Sequence, residues 1–75
     1  MKNQNKMTAN QALDQFLAGM PDEERIPLVK KLQKELEVSA NVFSAWRRGR
    51  TFIRPIYRRE ISRIVGKDVF AYVTE

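Results

Sequence analysis

The sequence predicts an all-α fold, a compact bundle of four to five short helices, on three observations. Apolar residues recur at helical spacing in four separate segments, and each segment is bounded by capping or breaking residues. The chain of 75 residues also has neither cysteine nor histidine, so no disulfide and none of the usual zinc, haem or iron–sulfur ligand sets can hold it together. Packing must do so, in one domain with a lean core. Residues 1–7 show no periodicity and read as a disordered tail, which leaves 8–75 as the single domain.

The first helix is expected over about 9–19. Thr8 and Gln11 have the spacing of a capping box, and Leu13, Phe16, Leu17 and Met20 fall on one face. Gly19, Met20 and Pro21 break it. Asp22, Glu23 and Glu24 then put acids where the N-terminal dipole of a second helix favours them, and Leu28, Val29, Leu32 and Leu36 form its buried stripe to about residue 37. Pro27 lies early in that helix. Because an interior proline removes a hydrogen bond and crowds the preceding turn, the helix is expected either to begin near Ile26 or to kink in its first turn.

Ser39 is a suitable N-cap for a third helix with apolar positions at Val42, Phe43 and Trp46, and Gly49 closes it. Residues 50–54 read as a loop. Pro55 suits the first position of a fourth helix, Tyr57, Ile61, Ile64 and Val65 give its apolar face, and Gly66 stops it. Beyond it, Val69, Phe70, Tyr72 and Val73 fit an ordered strand or a short helix equally well.

Charge is unevenly placed. Residues 1–45 carry six Lys/Arg against six Asp/Glu, whereas 46–75 carry eight against three, so the whole net charge of +5 lies in the last thirty residues. Seven of those eight cations are arginines, whose planar fork suits phosphate oxygens and guanine edges. The arrangement implies a polyanionic partner. The start of the chain is polar and no segment approaches bilayer length, so a cytoplasmic protein with no membrane partner is expected.

A helix, a short turn and a second short helix present the latter to the DNA major groove, and the segment 28–48 has that organisation. Leu32, Leu36, Val38, Phe43 and Trp46 take its internal apolar positions, with Val38 plugging the turn. Leu36-Glu37-Val38-Ser39 followed by Phe43, Ser44, Trp46 and Gly49 resembles the lambda-repressor/Cro-type helix-turn-helix proteins, the XRE family. The resemblance covers about residues 28–70, through Gly49-Arg50 and Pro55 to Ile64-Val65-Gly66, and implies a lambda-repressor-like bundle that regulates transcription. Gln33 stands where the family usually has a small residue, and Glu37 where it has the turn glycine. A left-handed Glu37 costs about 1–2 kcal/mol, so the turn either bears that strain or is built differently.

The outward face follows from the 100° advance per residue. With Val42, Phe43 and Trp46 inward, Asn41, Ser44, Ala45 and Arg48 point away, with Ala40 and Arg47 on the flank. Short side chains let the backbone approach the groove floor. Asn41 suits an adenine edge, Arg48 a guanine, and Ala40 or Ala45 a thymine methyl, so base reading of double-stranded DNA is expected from Ala40, Asn41, Ser44, Ala45 and Arg48. Ser39, Arg47, Arg50, Arg54, Arg58 and Arg59 are expected to contact phosphates and fix register. Phe52, in the basic loop, reads as a cover for the core, with a wedge between bases as the sharper alternative.

Two other readings stand beside this one: a degenerate helix-turn-helix that recruits an acidic protein, and a small basic RNA-binding protein. RNA recognition by stacking aromatics would call for a sheet that the sequence does not predict. An enzyme is the least supported, since no nucleophile–base pair, paired carboxylates or glycine-rich phosphate loop is visible, and no cofactor or metal is expected. The apolar segment 68–75 exceeds what the core needs and suggests weak homodimerisation.

Overall fold

In the computed structural model, which describes residues 7–74, Thr8 starts α1 (Ala9–Ala18) with a complete capping box. Its hydroxyl accepts from the Gln11 N–H at 3.1 Å and its own N–H donates to Gln11 Oε1 at 3.0 Å, so two donors that lack helical partners are satisfied. α2 (Asp22–Leu36) begins at Asp22, a turn ahead of Pro27, and runs through the proline. Of the two expected alternatives, the start near Ile26 is thus corrected. Pro27 is exposed, and three acids, Asp22, Glu23 and Glu24, occupy the first turn, where the dipole favours them.

Glu37 ends α2 in the left-handed conformation, φ 56° and ψ 43°. Its N–H donates to the Lys34 carbonyl at 3.2 Å and that of Val38 to Gln33 at 3.1 Å, the pattern by which a chain leaves a helix through one αL residue. After this turn Ser39 caps α3 (Ala40–Arg47), accepting from the Val42 N–H at 3.1 Å. Gly49, at φ 77°, closes α3 in the same way as Glu37 closes α2, with Arg50 N–H donating to the Ala45 carbonyl at 2.9 Å. Pro55 is the first residue of α4 (Pro55–Val65), which stops at Gly66. Four helices, with no strand element among the described residues, make the fold all-α.

α1 packs on α3 and α2 on α4. The buried cluster joins Ala9, Leu13, Leu17, Leu32, Leu36, Phe43, Trp46, Ile53 and Ile61. Trp46 is at its aromatic centre, with ring centroids 5.7 Å from Phe43 and 5.1 Å from Tyr57, both tilted pairs. Three expectations need correction here. Val42 is 38% exposed rather than core, and Ile53, from the segment read as a plain loop, is fully buried. Phe52 does not cover the core: it is 58% exposed, with the Arg58 guanidinium 5.0 Å above its ring.

The C-terminal segment forms neither a helix nor a strand but a run of turns. Val69, Phe70 and Val73 pack against the core, while Tyr72 is 83% exposed. Met7, assigned to the tail on sequence, pairs with Val73 in a parallel bridge and accepts from the Thr74 N–H at 3.1 Å; a contact between chain ends has no local signature. Residues 1–6 of the expected tail, and Glu75, lie outside the described residues.

Candidate nucleic-acid interface

The presentation of α3 follows from its buried pair. The stripe is centred between Phe43 and Trp46, which puts Val42 about 70° to one side and Arg47 about 70° to the other, while Asn41 and Arg48 fall nearly opposite. At that angle Val42 stays half-exposed. The same geometry brings Arg47 against α1, where its Nε donates to Asp14 Oδ1 at 2.8 Å in a half-buried ion pair.

On the outer side, Asn41, Ser44, Ala45 and Arg48 line one open depression of about 220 Å³ together with Arg50. Asn41, Arg48 and Arg50 are exposed, with Ser44 and Ala45 half-buried between them. Four of the five expected base-reading residues are therefore assembled. Ala40, the fifth, is exposed in the first turn of α3 but does not line the depression. An adjoining depression is lined by Asp14, Ser44, Arg47 and Arg48, so a carboxylate of α1 borders the same surface.

The residues expected to hold phosphates divide into two groups. Arg50, Arg54 and Arg59 are exposed and, like the base-reading candidate Arg48, make no side-chain hydrogen bond or ion pair among the described residues. Arg47 is held by Asp14, and Arg58 by the Ile53 carbonyl, to which its Nε donates at 2.8 Å, and by the Phe52 ring. The Ser39 hydroxyl is committed to its cap. Arg63 donates twice to Glu60 Oε1, at 3.1 and 2.7 Å, and this hydrogen bonding holds the Glu60 carboxyl below its ordinary pKa.

No family model, curated protein or solved structure matches this chain. Among the described residues no group of acidic or other metal-ligating side chains is arranged to hold an ion, and no helix is long and apolar enough to cross a membrane.

Two contributors escaped the sequence reading. Asn10 of α1 donates to the Trp46 carbonyl at 2.8 Å and to the Thr51 carbonyl at 2.7 Å, across 36 and 41 residues. Asp14, one turn on, takes Arg47 across 33 residues. Within the sequence the only signal was the i, i+4 spacing of two short polar side chains on a mostly apolar helix, which ordinarily marks a solvated face.

Proposed function

We propose that the chain is a sequence-specific double-stranded DNA-binding protein of the helix-turn-helix kind, lambda-repressor-like in plan, and a transcriptional regulator that lays α3 in the major groove. The observation that carries this reading is the outer face of α3. It gathers an amide, a hydroxyl, a methyl and two unpaired guanidinium groups round one depression, on a helix whose opposite side is anchored by two buried aromatics. In the groove, Asn41 pairs with an adenine edge and Arg48 with a guanine, while Ala40, Ala45 and the half-exposed Val42 meet thymine methyl groups. Arg50, Arg54 and Arg59 clamp phosphates.

The turn supports the same reading. α2 and α3 are joined by the three residues Glu37, Val38 and Ser39, with Glu37 left-handed and Val38 packed on the core. The strain at Glu37 is therefore tolerated at the point where a helix-turn-helix sets the angle of its second helix. The test is selection from random duplex DNA at near-physiological salt. An enriched motif is the expected result, and flat enrichment would overturn the proposal in favour of a protein partner.

A further inference from the structure

We infer that α1 is the specificity element of this interface, with Asn10 positioning the base-reading Arg48 and the phosphate-holding Arg50, and Asp14 withholding Arg47 from the phosphates. The inference rests on the DNA-binding reading above and deepens it. Asn10 spends both hydrogens of its side-chain amide on carbonyls that bracket one turn: Trp46, in the last turn of α3, and Thr51, in the loop beyond. Between those two anchors lie Arg48 and Arg50, the two cations of the depression. A single planar amide thus fixes the separation of the carbonyls at 2.8 and 2.7 Å from one nitrogen, and with it the stems from which both guanidinium groups project. The Trp46 carbonyl also accepts from Gly49 N–H at 3.1 Å, so the clamp and the αL exit of α3 share one oxygen.

Asp14 lies four residues further along α1 and accepts from Arg47 at 2.8 Å on the edge of the same surface. A guanidinium held there is not free to bridge to a phosphate, and the carboxylate repels one. Non-specific affinity is thereby kept low, while Arg48, whose stem lies between the two carbonyls that Asn10 holds, acts where geometry matters. Contacts to base edges carry the sequence information and contacts to phosphates do not, so discrimination gains on both counts.

The experiment compares the full chain with Asn10→Ala and Asp14→Asn, each titrated with the selected duplex and with a random duplex over a range of salt. Asn10→Ala should cut the ratio of the two affinities about tenfold or more, the scale of one misplaced bidentate base contact, with little change in salt dependence. The ratio is the readout because partial unfolding lowers both affinities alike, which separates positioning from a loss of stability. Asp14→Asn should do the opposite on random DNA: bind it more tightly and steepen log K against log salt by about 0.9, one released guanidinium. An unchanged ratio in Asn10→Ala, or an unchanged slope in Asp14→Asn, overturns the inference while leaving the DNA-binding reading in place. Loss of any preferred site in the wild-type chain overturns both.

Discussion

Replacing Trp46 by alanine tests the packing on which the whole interface depends. The indole is 1% exposed and touches two other rings, at 5.7 Å and 5.1 Å between centroids. Truncating a buried Trp or Phe to alanine costs about 3–5 kcal/mol, of which two tilted aromatic pairs account for about 1–3 kcal/mol. A domain of this length is stable by about 4–11 kcal/mol, so the loss is a large fraction of the total. In thermal terms the midpoint should fall by about 12–40 °C. Far-UV circular dichroism is the suitable assay, because Trp46 is the chain's only tryptophan and the variant has no indole fluorescence. Trp46→Phe, which keeps a ring between Phe43 and Tyr57, should lose much less. A Trp46→Ala transition that stays cooperative and within about 5 °C of wild type would refute the reasoning, since one kcal/mol alone moves a domain this small by about 4–8 °C.

Glu37→Gly should raise stability by about 1 kcal/mol, because the left-handed strain relieved exceeds the extra freedom given to the unfolded chain; a lower thermal midpoint would count against it. Arg48→Ala and Asn41→Ala should each cost about 1–3 kcal/mol on the selected site and little on random DNA, whereas Arg54→Ala and Arg59→Ala should weaken both and flatten the salt dependence by about 0.9 each. Titrations in which the two pairs behave alike would show that the faces are misassigned. The Glu60 carboxyl, depressed chiefly by its hydrogen bonds from Arg63, adds stability that is present above the ordinary glutamate range and is lost as pH falls through the folded-state value. Glu60→Gln should therefore make the decline in thermal midpoint below about pH 5 shallower, and an unaltered acid limb would exclude a contribution from the pair.

What was legible in the sequence is what a few neighbouring residues decide. The Thr8–Gln11 box, the Ser39 cap, the glycine after α3, Pro55 at the start of α4 and Gly66 at its end all act within one turn of themselves, and each is where the pattern put it. Pro27 left two outcomes open, a start near Ile26 or a kinked first turn, and the acids already placed at the N-terminal dipole go with the start ahead of the proline. Ile53 sits between Phe52 and Arg54 in a stretch with no period to read, and only the return of the loop against the core buries it. The apolar C-terminal segment was legible as ordered; that three of its four large apolar residues are spent on the core, leaving Tyr72 outside, depends on where the chain ends meet.

For the candidate site the limit is of a different kind. Helical geometry assembled the outer face of α3 without the fold, but counting charges could not tell which cations are already engaged. Of the seven arginines that make the second half basic, Arg47, Arg58 and Arg63 are held by Asp14, by the Ile53 carbonyl with the Phe52 ring, and by Glu60. If the chain binds DNA as proposed, with Arg48 on a base edge, the phosphate contacts fall to Arg50, Arg54 and Arg59. Three contacts give a slope of log K against log salt of about −2.7 per bound chain on duplex DNA, whereas recruiting the three held arginines as well would give about −5.4. Titration of random duplex between low and physiological salt distinguishes the two. A slope near the steeper value would mean that the internal partners of these arginines release them on binding, and that their pairing in the free protein does not set how much of the charge is available.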